Sequence, residues 1–179
     1  TMYTDTMHGP CRSWQTGNNY AQIYTTRFGW VWLRPIKSKS DAHYTLTELH
    51  HQVGIPHTMV SDDARELIAG EFRKKCLRAG THLHPTEPYS PNQNLAESLG
   101  VREIKRMYRR AMQRTQSPLQ LWDHCLSLMA KYRAYTATSH YVLQGETPHT
   151  YLTNEQADIS HLVQFGWYDF IWYLDPKED

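Results

Sequence analysis

The sequence predicts an α/β fold, a mixed sheet covered by helices on both faces. Three observations carry this expectation. Short runs rich in β-branched and aromatic residues alternate with runs of helical periodicity. Two of the strand-like runs are consecutive and form a hairpin, so the sheet is not purely parallel. The runs that follow are separated by helices, as parallel neighbours require.

Residues 1–8 read as the first strand. "GPCRSWQTGNN" (9–19) is loop by its Gly, Pro and Asn content. "YAQIYTTRFGWVWLRPI" (20–36) reads as a hairpin turning near Arg27–Gly29. "SDAHYTLTELHHQVG" (40–54) opens on a Ser/Asp start signal and places Tyr44, Leu46, Leu49 and Val53 loosely on one helical face. Gly54 and Pro56 stop it. "HTMVS" (57–61) is a strand. A helix over 65–79 carries Ile68, Phe72 and Cys76 at i, i+4 and i+8. "THLHP" (81–85) is a short strand, and "TEPYSPNQN" (86–94) is irregular because Pro88 and Pro91 lie so close together. A long helix follows over 95–114. Ser117 and Pro118 form an N-cap and first-turn pair for another helix, with Leu121, Trp122, Cys125, Met129 and Tyr132 on its apolar side. "FGWYDFIWYLD" (165–175) reads as a last strand, giving a small C-terminal β extension.

Composition narrows the class. The 179 residues suffice for one domain with a core, and 40% apolar with 21% charged residues is globular. A formal net charge of +1 excludes bulk basicity as a signal, so any nucleic-acid contact must be a local patch. No run of 18 apolar residues exists, so no membrane span is expected. There is no signal peptide, and the start at Thr1 reads as a piece of a longer polypeptide. Cys11, Cys76 and Cys125 lie far apart without CxxC spacing, and read as free thiols of a reducing compartment. His50-His51 and His82-x-His84 lack zinc-finger spacing, so no structural zinc is expected.

The acids carry the chemistry. "HTMVSDDAREL" ends an apolar strand in Asp62 and Asp63, two like charges that repel. Asp5 sits in the first strand and Glu97 in the first turn of the long helix. At 100° per residue Glu97 falls in the sector of Val101, Ile104, Tyr108, Ala111 and Met112, which faces the sheet. An acid there is costly unless a cation meets it. Mg²⁺ suits a few carboxylates on rigid elements, and two such ions serve phosphodiester chemistry. Spacing alone leaves solvated faces and helix caps open for each acid.

Several stretches together resemble the catalytic core of retroviral-type integrases, most closely those of copia-type retrotransposons. "TDTMHGP" looks like the family's first strand with its acid. "WVWLRPIKSKSDA" looks like the third strand leading through Lys-Ser-Lys into the first helix. "VSDDARELIAGEF" resembles the Ser-Asp-Asn-Gly-x-Glu-Phe region, and "PYSPNQNLAES" the Pro-Tyr-Ser-Pro loop and helix start. "GETPHTYL" and "FGWYDFIWYLDP" resemble the segments after the core. The resemblance implies a ribonuclease H-like, five-stranded mixed sheet, with the catalytic core at 1–137 and a C-terminal extension with an aromatic strand at 138–179. It implies Asp5, Asp62 and Glu97 as the catalytic and metal-binding triad, with Asp63 in the place of the family's Asn. Between Asp62 and Glu97 lie 34 residues, one fewer than the family's usual spacing, and Ser98 replaces a common Arg.

The implied reaction is DNA integration: 3′-end processing of element DNA, then strand transfer into target DNA, with two Mg²⁺ or Mn²⁺ ions. The implied partners are DNA and further copies of the chain, and the implied site of action is the nucleus, with a cytoplasmic particle stage allowed. Arg102, Lys105, Arg106, Arg109 and Arg110 form a basic stripe on the long helix that could track phosphates or be a solvated face. Tyr89, Ser90, Asn92 and Gln93, in the loop that resembles the family's active-site loop, are the polar candidates for contact with the DNA end. A catalytically silent DNA-binding or interaction module on the same fold is the second reading. A related transposase or nuclease is the third.

Overall fold

The computed structural model describes residues 1–86 and 96–171, with the side chains of 97–99 outside that description. Five strands form one sheet in the order β3-β2-β1-β4-β5. They are β1 (Met2–His8), β2 (Tyr20–Thr25), β3 (Val31–Ile36), β4 (Thr58–Ser61) and β5 (His82–Pro85). β1 pairs antiparallel with β2 and β2 with β3, while β4 and β5 add in parallel. The sheet is mixed, as the hairpin requires. Pro35 lies in β3, an edge strand of the sheet, the position where a missing N–H is tolerated.

Alternation along β1 and β2 sends side chains to two apolar layers. Met7, Ala21 and Ile23 pack under the helices α4 (Arg102–Thr115) and α5 (Trp122–Tyr135), against Ile104, Tyr108, Trp122 and Leu126. Met2, Tyr24 and Met59 pack on the other face, against Leu46 and Leu49 of α1 (Ala42–Val53) and Phe72 and Cys76 of α3 (Gly70–Arg78). Helices therefore cover both faces.

The start of α1 differs from the sequence expectation. Ser38, not Ser40 or Asp41, opens the segment with a capping box to Asp41 over a 3-10 turn, Lys39–Asp41. Tyr44, placed on the apolar face by its spacing, is 62% exposed; Ala42 and Thr45 are buried with Leu46 and Leu49. Tyr44 instead lies under the Lys75 ammonium, 5.3 Å from its ring centre. The helix expected over 65–79 is two pieces, α2 (Arg65–Ile68) and α3. They break at extended Ala69 and at Gly70, whose φ of +70° suits glycine. Leu67 is buried where Ile68 was expected.

The long helix begins as a π-helical turn, Ala96–Val101, before α4. Gly100 lets this turn approach β2: a Cβ there would lie 3.2 Å from the Thr25 side chain. Ahead of α5, Pro118 takes the cap position of a 3-10 turn, Leu119–Leu121, and Ser117 instead accepts a hydrogen bond from Trp167 Nε1 at 2.9 Å.

Two short helices follow, α6 (Pro148–Thr153) and α7 (Ser160–Val163). The aromatic strand expected over 165–175 does not form over 165–171; residues 172–175 lie outside the described residues. Tyr168 has a φ of 63°, Asp169 accepts from the Gly166 N–H at 2.6 Å, and Phe170 is 82% exposed. Trp167 packs on the α4–α5 layer, so the segment is a turn anchored by one ring. Among the described residues, then, the C-terminal segment carries helices and turns and no β extension.

Candidate active site

The parallel register between β1 and β4 places the two aspartates. Thr4 lies opposite Ser61, so Asp5, in the middle of β1 on the face of Met7, and Asp62, the first residue after β4, follow side by side. Adjacent strands lie about 4.8 Å apart. That face is the one the π-helical turn covers, because Thr25 meets Gly100 there and Val101 joins the layer with Ile23. The backbone of Glu97 therefore stands over the face that carries Asp5. Its side chain lies outside the described residues. The 100° step that assigned it to the core side does not hold through a π-helical turn.

The electrostatics mark Asp62. Burial pushes its carboxyl above the usual carboxylate range, and the charge of Asp5 pushes it further. The Ala64 backbone N–H pulls it down, Glu66 raises it, and Lys39 lowers it. Asp62 Oδ1 is shielded from solvent and has no hydrogen-bond partner among the described residues. Asp5 Oδ1 accepts from the Thr6 N–H at 2.7 Å, which orients its carboxylate within β1. Asp63 is adjacent in sequence, but it lies past β4 in the irregular segment before α2 and is exposed.

This donor set suits a hard divalent cation. Two neighbouring carboxylates repel each other, and one shielded oxygen has no donor among the described residues. Oxygen ligands on rigid strands are the environment Mg²⁺ or Mn²⁺ takes. Among the described residues no group of three His, Cys, Asp or Glu gathers as a complete metal site. The third acid expected from the sequence is Glu97, whose side chain is not among them.

A buried polar network supports β1 from the opposite face. Gln22 Nε2 donates to Thr4 Oγ1 at 2.6 Å, Thr6 donates to Gln22 Oε1 at 2.7 Å, and Thr4 donates to the Ile23 carbonyl at 2.9 Å. These bonds brace β1 on both sides of Asp5 in sequence. Threonines flanking an acid in a strand are the one sequence signal for these bonds, and it is too common to single them out. Glu66, four residues after Asp62 in the first turn of α2, and its ion-pair partner Lys39 at 3.3 Å carry no sequence signal of a shared site.

The basic stripe of α4 is present as a surface. Arg102, Arg106, Arg109 and Arg110 are exposed and Lys105 is half-buried, opposite buried Ile104, Tyr108 and Met112. Arg106 pairs with Glu103 at 2.6 Å, so part of its charge is already met. Tyr89, Ser90, Asn92 and Gln93 lie outside the described residues. The thiols are free, with Cys76 and Cys125 buried and burial raising Cys76 to about 11 and Cys125 to about 12. No helix among the described residues is long and apolar enough to cross a membrane.

No family model matches the chain. Solved structures do. The catalytic core domain of BIV integrase superposes with a TM-score of 0.63 at 16% identity, over 86% of this chain and 93% of that one. A chain of the simian T-cell lymphotropic virus intasome, solved in complex with the PP2A regulatory subunit B56 gamma, superposes with a TM-score of 0.68 at 15% identity. That match covers 98% of this chain and 58% of the other. The five-stranded mixed sheet with helices on both faces is thus the ribonuclease H-like fold of retroviral integrase catalytic cores.

Proposed function

We propose that this chain is the catalytic core of a DNA integrase of the copia retrotransposon type. It would process the 3′ ends of element DNA and join them to target DNA. The observation that carries the reading is the Asp5–Asp62 pair: two neighbouring carboxylates on β1 and just after β4, one with a shielded oxygen that has no partner among the described residues. The integrase-core fold and the quoted sequence stretches support it.

In this reading Asp5, Asp62 and Glu97 hold two Mg²⁺ or Mn²⁺ ions. When bound, such ions activate the attacking oxygen and stabilise the leaving oxygen of an in-line displacement. Asp5 and Asp62 contribute preorganised oxygens on rigid strands, so little ordering is left for the moment of reaction. Arg102, Lys105, Arg106 and Arg109 position the DNA backbone, and Tyr89, Ser90, Asn92 and Gln93 meet the DNA end. First, water attacks a phosphodiester near that end and leaves a 3′ hydroxyl. That hydroxyl then attacks a target phosphodiester, and the broken strand leaves with its own 3′ hydroxyl. The core would work as a multimer on chromosomal DNA, in the nucleus.

The test is a strand-transfer and disintegration assay with Mg²⁺ or Mn²⁺, comparing the chain with Asp5→Asn, Asp62→Asn and Glu97→Gln. Metal-dependent joining lost in all three variants is expected. DNA binding with no joining by the unaltered chain would instead favour a silent binding module.

A further inference from the structure

The third carboxylate near Asp62 among the described residues is Glu66, and its partner is Lys39. Both act on Asp62 electrostatically, in opposite directions. Lys39 belongs to the layer opposite α4. It opens the capped 3-10 turn after β3, and its Nζ lies 5.9 Å above the ring of Tyr20 and 3.3 Å from Glu66 Oε1. The Ser38–Asp41 capping box fixes its backbone. Leu67, fully buried, fixes that of Glu66. Tyr20 and His8 are register partners at the C-terminal end of β1, and the pair with Glu66, four residues after Asp62, brings Lys39 close enough for its charge to act on Asp62.

An ion pair this exposed adds little to stability, since the Lys39 side chain is 48% exposed. The ammonium has three donors, and Glu66 is its one carboxylate partner among the described residues. The contact is an ion pair and not a hydrogen bond, and the Lys39 side chain keeps about half of its surface open to solvent. An open hollow of about 550 Å³ beside Glu66 is lined by Ser40, His43, Arg65 and Glu71 as well as Glu66. A polyanion reaching Asp62 from this side passes the one lysine that Glu66 and Tyr20 hold in place.

We propose that Lys39 contacts a backbone phosphate of the DNA at the reacting end, gripping it from the side of the sheet opposite α4. The inference rests on the integrase reading. Glu66 keeps the ammonium aimed before DNA arrives, and Lys is a point-charge phosphate binder. The contact is independent of base sequence, as phosphate contacts are.

The experiment is fluorescence polarisation of a labelled blunt-ended duplex against the full chain, in Ca²⁺ so that no strand is cut, over a series of KCl concentrations. Each phosphate contact contributes about 0.9 to the slope of log affinity against log salt. Lys39→Gln should lower the slope by about 1, Lys39→Arg should retain it, and Glu66→Gln should leave it at the unaltered value. Melting temperatures of the three variants separate a folding defect from a lost contact. An unchanged slope in folded Lys39→Gln overturns the proposal while leaving the integrase reading intact. Equal loss of affinity in Lys39→Gln and Glu66→Gln, both at the full slope, overturns it too, since the pair then only shapes the site. Failure of the unaltered chain to bind DNA at all overturns both.

Discussion

Replacing Asp123 with alanine removes the acceptor that ties the β1–β2 loop to α5. Asp123 is 2% exposed, in the first turn of α5. Its Oδ2 accepts from Ser13 Oγ at 2.9 Å, Thr16 Oγ1 at 2.6 Å and Asn18 Nδ2 at 3.0 Å. Burial pushes its carboxyl up, but the Thr16, Asn18 and Ser13 donors outweigh burial and hold it below the usual range. Hydrogen bonds to a charged group are worth about 1.5–3 kcal/mol each and do not add fully. Removing a carboxylate that accepts three such bonds, and leaving its buried neutral donors unpaired, costs about 3–5 kcal/mol in sum. At about 2–4 °C per kcal/mol for a chain of this size, the melting temperature should fall by about 6–20 °C.

The same cluster predicts a pH dependence. A carboxylate with a depressed folded pKa contributes stability above its unfolded pKa and loses it as pH falls through the folded one. The gap between the unaltered chain and Asp123→Ala should therefore be full at neutral pH and narrow progressively below the ordinary carboxylate range. Thermal melts followed by circular dichroism across that range test both parts. A drop under about 2 °C, or a gap that does not change with pH, would refute the reasoning.

Three further outcomes follow from other contacts. Without metal, the gap in melting temperature by which Asp62→Asn exceeds the unaltered chain at neutral pH should close on acidification, because a raised folded pKa makes the ionised form unfavourable and protonation relieves it; melts of both at several pH values check the sign. Gly9→Ala should cost about 1–3 kcal/mol, since its Cβ would press into the Trp122 ring, with one atom at 2.6 Å, and chemical denaturation measures it. Tyr24→Phe should cost about 1 kcal/mol by losing the buried hydrogen bond to Thr45 Oγ1 at 2.7 Å, read by the same method.

Much of the sheet was legible because strand signals and helix signals alternate cleanly in residues 1–85. The hairpin over 20–36 and the strand over 57–61 lie where residue type put them. What periodicity missed has local causes. Gly70 splits a continuous apolar pattern because only its backbone reveals the positive φ. Tyr44 is amphipathic, and its ring meets Lys75 as well as it would meet a core. The aromatic run after Gly166 alternates, but alternation says nothing about whether a partner strand exists; Trp167 found the α4–α5 layer instead.

For the site, the adjacency of Asp5 and Asp62 depends on register, which no single-sequence pattern contains. The resemblance proposed both residues, and the parallel pairing of Thr4 with Ser61 sets them side by side. In the sequence Lys39 stands only as part of the Lys-Ser-Lys segment before α1, and Glu66, in the first turn of α2, carries no pattern that points to a lysine so far away in sequence. Their pairing appears only when the 3-10 turn and α2 meet.

The most direct test of the account is a calorimetric titration of Mn²⁺ into the unaltered chain and into Asp62→Asn, with Asp5→Asn alongside. The account predicts saturable binding by the unaltered chain that both substitutions abolish while the variants stay folded. Binding of equal affinity and stoichiometry in Asp62→Asn would contradict it.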